Sequence, residues 1–420
     1  LSGVGALLGL LVLAYVGSML VSGRTIRGFG LPSGAEYLVL GFVVGPHGLG
    51  VLTRSTVSTF EPIFVLGASW LALVTGIGYG VVGQRRIRLG PAFVGIVTAC
   101  GVGAGVAALL FYAFGEFGVL SGAERLNTAL CAGIVCSETT RHMVRWVVER
   151  HGARGPISDW VADMARASAA VPLLGLGWIM AQAPASPLAA IGVLERLGVT
   201  MAIGVVLGLV AVVLLGREFR RDESWGILLG TSILAAGLTA KIGLSPMTAL
   251  FVMGLTLTLV SRHRLEIKFM VQPTEKPVML PVVLVVGASI SLEVPELGWI
   301  VAAAVGARLA SEIARGVVLF VVLPAARPAW AEVGLGMTST GALTLAAAFT
   351  LHVRLPGTAS DIVLAIAAAG VLLGEAVGPA LLRRALARTG ETNAVSGDDA
   401  SPLSLRPPSP MISDYPSSPP

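Results

Sequence analysis

Four groups of polar residues sit inside apolar stretches of this chain, and any chemistry it performs must come from them. An ionisable side chain at membrane depth is costly, so each must face a hydrated cavity, an ion or an opposing charge. Asp159, Asp163 and Arg166 stand at i, i+4 and i+7 and share one helical face. Arg308, Glu312 and Arg315 repeat that spacing. Ser137-Glu138-Thr139-Thr140-Arg141 places hydroxyls and charge in succession, as unwound backbone does where freed carbonyls and hydroxyls ligate a cation. Thr338-Ser339-Thr340-Gly341 is its polar, small-residue counterpart in the other half. Each group also has a plainer reading. Asp159 favours the positive end of its own helix. Arg141 snorkels from a helix end. Arg308 and Glu312 neutralise each other, and Thr338 to Gly341 ease helix packing. Glu375 lies deep in the last apolar run, with no partner evident from sequence.

The elements that must position these residues are membrane helices. Of the 420 residues, 55% are hydrophobic and 13% charged, about half the charged fraction of a soluble domain. Apolar runs recur at 1–22, 32–51, 58–81, 91–114, 127–148, 157–183, 188–216, 224–242, 244–261, 277–292, 297–324, 332–351 and 358–386. They predict an all-α polytopic domain over residues 1–388 with thirteen transmembrane helices. With the N-terminus outside, the inner loops hold Arg24 and Arg27, then Arg85, Arg86 and Arg88, then Arg145, Arg150 and Arg154. They continue with Arg217, Arg220 and Arg221, then Arg262, Arg264, Lys268 and Lys276, then Arg327, and finally Arg383, Arg384 and Arg388. The outer loops hold only Arg54, Arg125, Lys241 and Arg354. This alternation predicts a cell (inner) membrane protein with its N-terminus outside and its C-terminus in the cytoplasm.

The net charge of +5 therefore sets orientation and is not a nucleic-acid signal. Residues 262–276 interleave apolar and basic side chains, which fits a linker lying along the inner surface or a solvated loop. Residues 389–420, rich in Ser, Pro and Asp, read as a disordered cytoplasmic tail. Cys100, Cys131 and Cys136 read as buried inert thiols. The chain opens on Leu1, not Met, so native residues before it are expected. With no nucleophile–base pair, phosphate loop or metal-ligand spacing, neither an enzyme nor a cofactor is predicted.

Several motifs, in order, carry a family likeness. Gly41-Phe42-Val43-Val44-Gly45-Pro46-His47-Gly48-Leu49-Gly50 resembles the second-helix Gly-x-x-x-Gly-Pro-x-x-Leu-Gly of the monovalent cation:proton antiporter superfamily, especially its potassium-efflux-like branch. Ala132 to Thr139 is similar to that family's Ser/Thr-rich broken helix. Leu244 to Leu255 looks like its Gly-Ala-Phe-x-Ala-Gly helix. Gly287 is placed as in its Phe-Phe-x-x-x-Gly segment, without the aromatics, and Glu375 to Pro379 resembles its C-terminal Glu-x-x-x-Pro. The resemblance covers residues 5–388 and implies an inverted-repeat fold with two crossed discontinuous helices. It also implies a core bundle of the fifth, sixth, eleventh and twelfth spans, and a homodimer formed through a bundle that includes the first two.

The departures bear on chemistry. Where proton-coupled members carry an Asp on the sixth helix, about five residues before a proline, this chain reads Arg166-Ala167 ahead of Pro172. Alanine neither titrates nor ligates, and an adjacent fixed positive charge repels a cation. In one reading Asp163, a turn earlier, substitutes. In a second, Arg166 pairs with Glu312 in a charge-swapped version of the family's Asp-to-Lys bridge. In a third, the scaffold has lost transport. The expected function is monovalent cation (Na⁺ or K⁺):proton antiport across a lipid bilayer through a modified site. Asp163, Asp159, Ser137, Glu138, Thr139, Thr338 and Ser339 would bind ion and proton, and Arg166, Arg308 and Glu312 would compensate charge. The alternative is a transport-inactive scaffold, sensor or partner subunit.

Overall fold

A segment in lipid must satisfy its own backbone groups, and the described residues do so with helices and turns alone, with no strand among them. The computed structural model describes residues 34–80, 88–116, 118, 120, 122–183, 190–216, 221–294 and 296–392. The predicted span 1–22, loop residues Arg24, Arg27, Arg85, Arg86, Arg217 and Arg220, and the tail from 393 onward lie outside them.

The helices in chain order are α1 (Ala35–Val44), α2 (Arg54–Gly80), α3 (Leu89–Glu116), α4 (Gly122–Cys136), α5 (Arg141–Arg150), α6 (Pro156–Ser168), α7 (Ala170–Gln182) and α8 (Val193–Leu215). They continue with α9 (Arg221–Lys241), α10 (Pro246–Val260), α11 (Arg264–Val271), α12 (Glu275–Ser289), α13 (Leu297–Val322), α14 (Trp330–Gly336), α15 (Ala342–Arg354) and α16 (Thr358–Arg388). Among the described residues, six stretches are long and apolar enough to cross a membrane by length and composition, with α6–α7 and α11–α12 each counting as one, and three shorter apolar helices accompany them. Two uninterrupted helices, α9 of 21 residues and α13 of 26, are not among the six. The basic segment at 262–276 is helical: α11 buries Ile267, Met270 and Val271 and passes through a tight turn into α12.

Element order repeats. A long helix (α3), a helix broken in the middle (α4–α5) and a long helix (α6–α7) recur as α13, α14–α15 and α16. Burial from water does not drive helices together inside lipid, so close backbone approach must. Gly76 of α2 and Gly254 of α10 interlock: a methyl on Gly76 would stand 3.0 Å from Leu255 N, and one on Gly254 would stand 2.9 Å from Ile77 N. Gly41 of α1 and Gly287 of α12 are paired in the same way. One expectation is corrected. Cys131 and Cys136 are buried, but Cys100 is exposed; an apolar segment shows its outer face to lipid, so an apolar setting does not imply burial in protein.

Candidate ion site

The two interruptions touch. α4 stops at Cys136 and α5 resumes at Arg141; α14 stops at Gly336 and α15 resumes at Ala342. Residues 137–140 and 338–341 are buried. Their freed backbone groups are satisfied across the gap: Thr140 N donates to Ser339 O at 2.8 Å, and Thr139 Oγ1 donates to Met337 O at 3.0 Å. Ser339 Oγ donates to Gly374 O at 2.5 Å, and Ser137 Oγ to Ile134 O at 2.6 Å. Ser137, Thr139 and Ser339 thus hold the breaks in shape.

Glu138 is the carboxylate at this junction. It is buried, and its Oε2 accepts from Thr344 N at 2.9 Å and Thr344 Oγ1 at 2.5 Å. Those donors lie at the start of α15, where unpaired amides and the helix dipole favour negative charge. A small cavity of about 20 Å³ opens beside it, lined by Thr75, Glu138, Thr140, Arg141, His142 and Glu275 among others. At the far wall Glu275 pairs with Arg141 and, at 3.1 Å, with His142.

Opposite the breaks, α13 presents its three charges. Glu312 lies 3.4 Å from Arg308 and 2.9 Å from Arg315, and all three are buried. This resolves the expected Arg166–Glu312 pairing otherwise: two arginines on Glu312's own helix flank it. Arg308 Nε donates to Thr338 O at 2.9 Å and its Nη2 to Glu138 O at 2.8 Å. Arg315 Nη1 donates to Thr139 Oγ1 at 2.7 Å. A tethered guanidinium therefore spans carbonyls of both breaks.

The sixth-span residues divide. Asp163 is fully buried, facing protein rather than lipid, and Arg88 Nε contacts its Oδ2 at 3.0 Å. Arg88 also reaches Asp159, at 3.3 Å, which is half-exposed in the first turn of α6. Arg166 is half-buried and within electrostatic range of Lys268 on α11. Ala167 and Ser168 meet the junction: Tyr79 Oη donates to Ala167 O at 3.1 Å, and Thr139 N to Ser168 Oγ at 3.2 Å. Five residues of helix, about 7.5 Å, separate Asp163 from Ser168. Glu375 is buried next to Gly374, whose carbonyl takes Ser339.

Sequence reasoning missed Arg88, which counted only as a loop charge, together with Thr344, Ser168 and Glu275. Thr344 had one available signal: it follows Gly341 by three residues, the position from which a hydroxyl and an amide serve a buried anion at a helix start.

Paired interrupted helices in contact, each followed by a long helix, recur in many membrane-transporter folds. No protein-family model matches the chain, and no curated protein matches its sequence. Its fold is similar to that of the sodium proton antiporter MjNhaP1 from Methanocaldococcus jannaschii at pH 8, with a TM-score of 0.68 over 93% of this chain and 100% of that one, at 15% identity. An electron-microscopy structure of the same antiporter aligns with a TM-score of 0.61 over 92% of this chain and 98% of that one, at 17% identity. The chain therefore has the all-helical antiporter fold.

Proposed function

We propose that the protein exchanges a monovalent cation for a proton, and that Glu138 is the carboxylate that binds them in turn. One observation carries this reading: a buried carboxylate lies at the contact of the two helix breaks and borders a cavity. Glu138 comes from the break itself and supplies the negative charge that Ala167 cannot. Asp163, held by Arg88, acts as a second charge pair that couples α3 to α6. The similar structures are of a sodium proton antiporter, which supports Na⁺ as the first cation to test. The reading places the protein in a cell membrane with its N-terminus outside, on the strength of the loop charges, and as a homodimer, on the strength of the resemblance.

The test is reconstitution in proteoliposomes with an internal pH-sensitive dye, adding each alkali cation in turn. Glu138→Gln should abolish cation-dependent proton movement. Asp163→Asn should slow it and leave it measurable. Flux unchanged in Glu138→Gln would remove this residue from the mechanism.

A second reading has its own observation. Arg308 already occupies carbonyls of both breaks, the groups that would otherwise ligate a cation. A permanently clasped junction would make the protein a transport-inactive scaffold. Absence of flux for Na⁺, K⁺ and Li⁺ at every pH, in wild type and Glu138→Gln alike, would select it.

A further inference from the structure

A second cavity, of about 100 Å³, lies on the other side of Arg308, between α13, the second break and α16. Its walls are apolar: Leu309 from α13 and Leu373 and Val377 from α16, with Gly370 leaving room at the base. Leu373 and Val377 are about 40% exposed and stand in an apolar strip with Leu372, while Ile313 and Val317 are exposed on α13. The mouth therefore opens where the protein meets hydrocarbon. Two polar groups close the inner end, and both are more than nine-tenths buried: Arg308 and Thr338. Arg308 has committed Nε and Nη2 to carbonyls, yet its Nη1 has no hydrogen-bond partner, and neither has Thr338 Oγ1.

Unsatisfied buried donors are unfavourable, and one on a guanidinium more so. They would be satisfied by an acceptor that carries negative charge. The long apolar approach selects an acceptor attached to a hydrocarbon chain. We propose that this cavity binds the carboxylate of a single-chain fatty acid that enters sideways from the bilayer, with its head on Arg308 Nη1 and Thr338 Oγ1 and its chain between α13 and α16. Because Nε and Nη2 keep their carbonyls, the occupant adds a bond to the clasp across the breaks. The inference depends on the membrane placement and is independent of whether the protein transports ions, since it is read by binding alone.

The probe is decanoate bearing a photoreactive diazirine on its chain, titrated into the full-length protein in detergent, with cross-links mapped by mass spectrometry. Saturable labelling of α13 and α16 around Leu309 and Leu373 is expected, displaced by unlabelled decanoate and at least tenfold less by its methyl ester, which lacks the charge. Leu373→Trp should plug the mouth and reduce labelling at least tenfold; Val377→Trp serves the same purpose if the first variant is not monodisperse. Equal displacement by the ester, labelling unaffected by the plug, or labelling spread equally over the exposed face of α8 would overturn the proposal.

Discussion

Glu391 offers the sharpest energetic test, because one side chain closes the start of the helix that carries Asp163. Its Oε1 accepts from Ile157 N at 2.7 Å, and its Oε2 accepts from Ser158 N at 2.8 Å and Ser158 Oγ at 2.6 Å. Its carbonyl takes Arg154 N at 2.9 Å. Pro156 needs no partner for its nitrogen, so a single carboxylate serves the first free amides of α6. Gly155 leaves the space: a methyl there would stand 2.6 Å from Glu391 Cγ. Losing an ordinary N-cap costs about 0.5–2 kcal/mol, and hydrogen bonds to a charged group are worth about 1.5–3 kcal/mol. Glu391→Ala should therefore ease local opening of the first turn by about 2–3 kcal/mol, taking the two estimates together. At 1.4 kcal/mol per factor of ten, this is about 30- to 140-fold faster amide exchange. The assay is hydrogen–deuterium exchange of peptides covering 155–163, with a peptide from α8 as an internal control. Glu391→Gln keeps an acceptor and should fall between the two. Exchange within about twofold of wild type in Glu391→Ala would refute the capping argument.

Two further outcomes follow from the junction. Glu312→Gln leaves Arg308 and Arg315 facing a neutral amide in a buried setting, and should lower stability by about 3–5 kcal/mol, read as a fall in the thermal midpoint of the purified protein; a midpoint within a degree of wild type would mean that the arginines find other counter-charges. Gly341→Ala would put a methyl 2.6 Å from Thr140 Oγ1 and 2.9 Å from Thr140 Cβ. It should destabilise by about 1–3 kcal/mol, partly recovered when Thr140→Ala is added; additive losses in the double variant would show that the two residues do not press on each other.

Part of this architecture is legible in the chain because polar residues in apolar runs have few reasons to be there. The Ser137 and Thr338 groups announce backbone leaving its helix, and both are where helices break. The glycines behind the family likeness are contact points: Gly41 against α12, Gly287 against α1 and Gly254 against α2; Gly374 is another, where a methyl would stand 2.6 Å from Ser339 Cα. Partnership was not legible, because helical periodicity reports which face a residue occupies and not what that face meets. Asp163 and Arg166 share a face, yet Arg88, from the start of α3, neutralises Asp163. The carbonyl that Arg308 holds belongs to a residue 170 positions away. The boundary at 388 shows the same limit. Composition changes there, but Thr389 hydrogen-bonds back to α16, and Glu391 is buried against α6.

On the proposed reading, the charges at the junction would favour exchange over simple cation binding. Arg308 and Arg315 flank Glu312, Arg308 bonds the Glu138 backbone carbonyl, and Arg141 beside the Glu138 side chain is balanced by Glu275, so the group is neutral when all of these are ionised. Glu312 is fixed between both arginines and has nothing to gain from a third cation. Glu138 is different, since Arg308 bonds its backbone carbonyl and leaves its side chain to Thr344 and the cavity. Adding one proton or one monovalent cation to Glu138 produces the same net charge, and adding both doubles it in a region where like charges repel strongly. If Glu138 is the carrier, as proposed, the two ligands would exclude each other, one for one. A divalent cation would leave the excess charge that the site cannot hold, so Ca²⁺ and Mg²⁺ are disfavoured by the same arithmetic. On the proposed reading, neutrality of the empty site would also remove the need for a further carboxylate on the sixth span, which would make Ala167 compatible with exchange.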